Sequence, residues 1–332
     1  MNILNSLLLT IMRMLHTVID NYALTIIVFT ILIKLVVMPL NLKSRRSTMR
    51  MATVQPKMQA LQEKYKDDQE KLNQKLQELY RKEGVSPMGG CLPMIISMFI
   101  LFAMFYAMRV FANEHLVTQF LTFYYNPEID PSTMTDSFLW IKNLWMPDSP
   151  FATYLPDAQS LRMVDLDVWN NVSAQLAASG VIPQALNFAD KDAMNAFLND
   201  VVIPFLGSDV YAPYIAPIPG LGNLSILGLI NFTIYKVGNG WFILPLLSIG
   251  TQLLMQKLTM KNTAMDASQA GSQKTMLYVM TFMSLYFCAI YNSAFALYWV
   301  VSNIYAIIEQ IAFNKYFEQQ DRKAAKAEEV GI

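Results

Sequence analysis

Met276 to Ile308 is a run of 33 residues without one charged side chain. As a single helix it would be about 50 Å long, far more than the roughly 30 Å of hydrocarbon in a bilayer. The run therefore has to fold back, and Tyr291-Asn292-Ser293, residues of modest helix propensity, offer the turn. Two spans joined by a tight hairpin follow. Three further segments approach spanning length: Tyr22 to Leu40 with one charge, Lys34, and Cys91 to Met108 and Gly240 to Gln256 with none. Composition agrees, with 54% hydrophobic residues and 15% charged ones, against about 25% charged in soluble domains. Such a chain has too little charge to stay disordered and too much apolar surface for a water-soluble shell. The expected fold class is an all-α polytopic membrane protein with five transmembrane helices, a cytoplasmic helical hairpin and an external insertion.

Net charge is zero, but the charges are unevenly placed. Between Asn41 and Gly90 lie eleven basic and six acidic residues; between Asn113 and Asn239, four basic and twelve acidic. The positive-inside rule puts the first of these loops in the cytoplasm and the second outside. Lys257, Lys261 and Lys274 place the third loop inside as well. The expected layout is then an external amphipathic helix at 1–20 and a first span at 21–42, followed by a cytoplasmic hairpin at 43–84. A second span at 91–112 leads to an external loop at 113–239, whose inserted subdomain covers about 149–239. The remaining spans are 240–258, 275–291 and 294–313, with a cytoplasmic loop at 259–274 and a cytoplasmic tail at 314–332.

Arg13, His16 and Asp20 interrupt the first apolar stretch and no basic region precedes it, which argues against a signal peptide. Ile3, Leu4, Leu7, Leu8, Ile11, Leu15 and Val18 instead recur at helical spacing, as in a helix lying on the outer surface. In the basic loop, Val54, Met58, Leu61 and Tyr65 form one apolar seam, and Leu72, Leu76 and Leu79 a second. Asp67-Asp68 marks the turn between the two arms and Gly84 the stop. In the external loop, Leu139 to Trp145 reads as interfacial and Asp190 as the cap of a helix running to Val202. Cys91 and Cys288 are far apart, and His16 and His115 are the only histidines. Neither a disulfide framework, a metal site nor a cofactor is expected. Phosphate-loop, zinc and nucleophile motifs are missing too, so no enzyme chemistry is expected.

Lys34 is the residue that does not belong. It lies about 12 Å in rise above the inner end of its span, and a lysine snorkels only about 6 Å. A cation at that depth costs about 2.5 to 3.5 kcal/mol on the insertion scale and usually faces a partner or a wet cavity. No acidic residue is expected inside any of the five spans. A permanent intramembrane ion pair is thus excluded, leaving water or a visiting anion. Thr30, Ser248, Thr251 and Gln252, with Ser302 and Asn303 beside Trp299, are candidates to line the same hydrophilic groove. Met38, Met49, Met51, Met58, Met88, Met94 and Met98 gather near the cytoplasmic side, where unbranched side chains adapt to varied apolar partners. The last three spans offer only about 25 Å of uncharged helix each, a mismatch that thins a bilayer locally.

The motifs resemble those of the YidC/Oxa/Alb family of membrane protein insertases. They comprise Lys34 to Leu40 with Pro39, Met51 with Gln55 to Gln59, and Ser86-Pro-Met-Gly-Gly-Cys-Leu-Pro93. Further along come Ile243-Leu244-Pro245 with Gln256-Lys257, and Asn292-Ser293 through Leu297 to Asn303. The resemblance covers Asn5 to Pro147 and Gly240 to Phe317. It implies a five-helix core whose groove opens to cytoplasm and lipid and is closed outside. The family carries an arginine where this chain has Lys34, so the charge is kept and the guanidinium fork lost. Trp299 matches an aromatic position that touches substrates, and Gln252 a polar groove position. The extra N-terminal span and large periplasmic domain of Gram-negative relatives are expected to be absent, and no lipoprotein-type cysteine lies near the N-terminus. The tail from Asn314 has four basic and four acidic residues, so any ribosome contact should lean on the hairpin.

The function implied is that of an insertase and chaperone in the bacterial plasma (inner) membrane, with its N-terminus external and C-terminus cytoplasmic. The hairpin residues Met51, Met58, Leu61, Tyr65, Leu72, Leu76 and Leu79 would capture a nascent hydrophobic segment. Lys34 would then draw in its acidic flank. Expected partners are nascent membrane proteins and the lipid bilayer, with the Sec translocon and the translating ribosome as further candidates. No specific nucleic-acid sequence and no small-molecule substrate is expected, and the protein is expected to work as a monomer. A small solute transporter or channel, or a passive scaffold for membrane complexes, is the alternative.

Overall fold

In chain order the helices of the computed structural model are α1 (Ile3–Ile19), α2 (Tyr22–Lys64), α3 (Gln69–Glu83) and α4 (Leu92–Tyr125). The short α5 (Ala158–Arg162), α6 (Leu166–Ala178), α7 (Lys191–Phe197), α8 (Ile203–Leu206) and α9 (Ala212–Ile215) come next, and α10 (Ile243–Met260), α11 (Ala267–Ile290) and α12 (Ser293–Val330) complete the chain. The structure describes residues 3–85, 92–220, 224–226, 230–260 and 267–330. The motif around Ser86 to Cys91, together with Lys261, lies outside them. Leu224–Ile226 pairs antiparallel with Ile230–Phe232, Ser225 facing Asn231.

Among the described residues, three stretches are long and apolar enough to cross a bilayer: Tyr22–Lys43, Met98–Tyr125 and Ser293–Gln320. Large apolar side chains on these helices and on α11 face outward: Val36 is 78% exposed, Phe282 66% and Ile308 62%. In water such a girdle drives association; in lipid it is the matched surface. The protein is an all-α membrane protein. Its helices outrun its apolar segments. The first apolar segment and the first arm of the expected hairpin are one helix, α2, of 43 residues with Pro39 and Pro56 inside it. α4 continues past Ala112 to Tyr125, and α12 runs beyond its apolar part into the tail. Leaving lipid changes the solvent and not the backbone preference. Leu, Met, Lys, Gln and Glu are all good helix formers, so nothing at those points stops the helix.

The chain divides into two compact units. The first comprises Met1–Phe29, Met104–Gly250 and Met280–Val301. Its core gathers Phe120, Phe123, Trp145, Trp169 and Tyr211, all buried. Phe120 meets Trp169 at 6.0 Å and Phe123 meets Tyr211 at 5.5 Å between ring centroids. The C-terminal part of α4 is thus the wall against which the segment between α4 and α10 packs. Asp190 caps α7, accepting from Ala193 N at 2.9 Å, and a wide π turn at Leu198–Val202 carries that helix into α8. α1 buries Leu8, Leu9 and Met12, and Arg13 pairs with Glu114 of α4 at 2.7 Å. Leu7 and Val18, counted in the apolar stripe of the sequence, face outward with Met14.

A buried polar latch fastens the insertion where it leaves and returns. Asn239 Nδ2 donates to the carbonyls of Asn143, Met146 and Pro147 at 2.8, 3.0 and 2.9 Å, and Asn143 N donates to Asn239 Oδ1 at 2.8 Å. Asp148 lies at the start of α10. Its Oδ1 accepts from Trp241 N and Phe242 N at 2.9 and 3.2 Å, and its Oδ2 from Leu244 N and Trp140 Nε1 at 2.7 and 3.1 Å. One carboxylate thereby answers several N–H groups that a helix start leaves unpaired. The turn at Tyr291-Asn292 joins the same region: Ser293 Oγ and N both donate to Met146 O, at 2.7 and 2.9 Å.

The second unit comprises Thr30–Ala103, Thr251–Val279 and Ser302–Ile332. Asp68 caps α3 by accepting from Lys71 N at 3.0 Å, and Gly84 ends it at φ 63°, a left-handed conformation that glycine adopts without strain. Val54 and Leu72 are buried, while Met51, Met58, Leu61, Tyr65, Leu76 and Leu79 are half-buried among exposed neighbours. Lys57 Nζ reaches Glu83 Oε1 at 2.7 Å, tying the inner end of α2 to α3.

Candidate functional site

Helical periodicity puts Thr30, Lys34 and Asn41 on one face of α2. Thr30 is buried and the other two are half-buried. On α12, Ser302 and Glu309 are seven residues apart on one face and both are buried. Asn41 Nδ2 donates to both carboxylate oxygens of Glu309, each at 3.3 Å. The Glu309 charge also acts on Lys34. The expectation that no span holds an acidic residue is therefore wrong. Glu309 falls within the bounds 294–313 and within the apolar stretch Ser293–Gln320. In the sequence it stands immediately after the uncharged run and reads as the end of a span. In the structure α12 continues through it and buries it beside α2. Buried charges need partners, and here the carboxylate is held by Asn41 of α2, on the face of that helix that also carries Lys34.

Six residues before Glu309 on α12, Asn303 Nδ2 donates to Thr251 Oγ1 of α10 at 3.1 Å. Gln252, next along α10, is half-buried. The Oγ of Ser302 is buried with no hydrogen-bond partner among the described residues. Thr30, Lys34, Gln252, Ser302 and Asn303 thus belong to the second unit, while Ser248 and Trp299 belong to the first. Ser248 Oγ donates to Pro245 O at 2.7 Å, inside its own helix. Trp299 stands 5.6 Å from Phe295, with its Nε1 buried and unpaired among the described residues. Asn41 and Glu309 escaped the reading of the sequence. Asn41 was findable, because it lies two helical turns from Lys34 on the same face; nothing in the sequence pairs it with Glu309.

On the hairpin the charges are exposed and locally paired. The Lys71 backbone N–H holds the Asp68 carboxyl below the usual carboxylate range, and the hydrogen bond from Lys57 does the same to Glu83. The hydrogen bond to Glu78 raises the Lys75 ammonium. In the segment between α4 and α10, burial pushes the Tyr154 phenol up to about 12 and raises that of Tyr211 well above its ordinary value. Tyr211 keeps its proton and donates it to Pro156 O at 2.7 Å.

The chain is similar to proteins named membrane protein insertase YidC. The one from Chlorobaculum tepidum is 42% identical over 154 residues, which are 45% of this chain and 22% of that protein. Its counterpart from Pelodictyon phaeoclathratiforme is 42% identical over 135 residues, 40% of this chain and 20% of the relative. That from Chlorobaculum parvum is 40% identical over 145 residues, 43% and 21% of the respective chains. The matched part spans about a fifth of the length of these relatives. The model of the 60Kd inner membrane protein family matches from residue 14 to residue 321, which includes α2, α4, α10, α11 and the whole apolar part of α12, and the chain belongs to that family.

Proposed function

We propose that this protein is a membrane protein insertase and chaperone of the bacterial inner membrane, with no enzymatic step of its own. The observation that carries the reading is Lys34, half-buried on an apolar helix, on the face that also carries Thr30 and Asn41, with Glu309 of α12 within electrostatic reach. The names of the relatives support it. In this account a nascent hydrophobic segment reaches the hairpin first, where Met51 and Met58 offer adaptable apolar contacts. Its short polar flank then pairs with Lys34 in a low-dielectric setting, where Coulomb attraction exceeds its value in water. The apolar part moves into lipid, driven by burial at about 25 cal/mol per Å². Trp299 and Ser248 are proposed client contacts of the first unit. The lipid bilayer and nascent membrane proteins are the partners; the ribosome and the Sec translocon are further candidates, and the working form is a monomer. The N-terminus is external and the C-terminus cytoplasmic.

A small transporter is the second reading, and Glu309 favours it: an intramembrane carboxylate beside an ammonium is a common element of ion and proton paths. Reconstitution in vesicles separates the two. Purified protein should render a single-span client protease-resistant; proton or solute flux without any client insertion would overturn the insertase reading.

A further inference from the structure

Two observations on the second unit change what the groove offers a client. The first is that its cation is not alone. Glu309 is buried at 8% exposure on α12, and its two oxygens are held by Asn41, which shares a helical face with Lys34 two turns away. The second is that the amide holding the carboxylate is neutral. Asn41 fixes the position of Glu309 without cancelling its charge, so the carboxylate stays an acceptor for any cation that comes within reach. Lys34 is within its electrostatic reach. A groove with a lone ammonium selects acidic flanks and repels basic ones. A groove that holds an ammonium and a carboxylate within electrostatic reach of each other exerts little net field at a distance and presents both signs at close range.

We propose that Glu309 is a specificity-determining residue of the groove: held by Asn41, it serves as the resident counter-charge of Lys34. An acidic client flank enters by replacing it at Lys34, and a basic flank enters by pairing with Glu309 itself. This rests on the insertase reading. It replaces a groove that attracts one sign with one that discriminates by exchange of partners.

The test uses full-length protein in vesicles and three versions of one single-span client, identical except for a flank carrying two Asp, two Asn or two Lys. The readout is the ratio of Asp-flank to Lys-flank insertion measured in the same vesicles. Glu309→Gln should raise that ratio at least fivefold by removing the competitor for Lys34 and the acceptor for lysine. Lys34→Gln should lower it at least fivefold, with insertion of the Lys-flank client above wild type. That last result separates a pair from a lone cation, which predicts loss of the Asp-flank client and no gain for the Lys-flank one. It also keeps the proposal testable if Glu309→Gln fails to fold. An unmoved ratio in both variants, while wild type inserts the Asn-flank client, would overturn the role of Glu309 and leave the insertase reading standing. Wild-type vesicles that insert none of the three clients would overturn both.

Discussion

At the scale of single residues, the buried amides and carboxylates divide into those that build and those available for work. Asn239 builds. It makes four hydrogen bonds in a site shut off from water. Asn239→Ala would strand three carbonyls and an N–H, and the expected loss is about 3 kcal/mol of stability, seen as a lower unfolding midpoint in detergent. An unchanged midpoint would remove the latch from the account. Gly240 has no room for a methyl group, because a Cβ there would run into the Asp148 side chain that caps α10. Gly240→Ala is expected to destabilise by about 1 to 3 kcal/mol, read by the same melting experiment. Lys34 is available for work. Lys34→Arg should retain insertion because the charge persists, whereas Lys34→Glu sets two carboxylates facing each other and should abolish insertion of acidic-flank clients. Equal activity of the two variants would argue against any charge-based capture.

Among the elements, the helical hairpin is where titration bears on stability. The carboxyls of Asp68 and Glu83 both lie below their ordinary range in the folded state, by hydrogen bonds from Lys71 and Lys57 respectively. Their stabilisation is therefore complete above the unfolded carboxylate value of about 4 and is lost as pH falls through the lower folded value. Lys75, raised, contributes at all pH values below its unfolded range and loses its part only as pH rises through the folded value. Amide hydrogen exchange of α3, corrected for intrinsic rates, should show less protection at pH 3 than at pH 7. Equal protection would mean that the cap and the cross-arm pair do not hold the helix. Much of this element was legible. The seams, the Asp68 turn and the Gly84 stop follow from side-chain spacing and from glycine's tolerance of positive φ. The continuity of α2 through the apolar segment into the hairpin was not, since an apolar-to-charged transition marks a change of solvent and leaves the hydrogen-bonded backbone intact.

For the whole molecule, the positive-inside distribution remains the basis of orientation. A cysteine introduced at Gln159, in the acidic insertion, should react with a membrane-impermeant thiol reagent applied to intact cells, and one at Gln69 should not. The opposite pattern would invert the proposed topology. At this scale the external insertion is the part least accessible to sequence reasoning. Asp190 was identifiable as a helix cap, but the convergence at Asn143, Asp148, Asn239 and Ser293 was not, because it joins side chains to backbone groups up to 147 residues away.

What the chain's sequence determined alone is local or statistical: uncharged runs long enough for lipid, a sign asymmetry between loops, caps, seams, and one lysine out of place. Each depends on the solvent preference or backbone preference of residues near one another in the chain. Only tertiary structure decided which buried charge lies within reach of Lys34. Burial of a carboxylate depends on what the opposite helix presents, and α12 presents Glu309 to the face of α2 that carries Asn41.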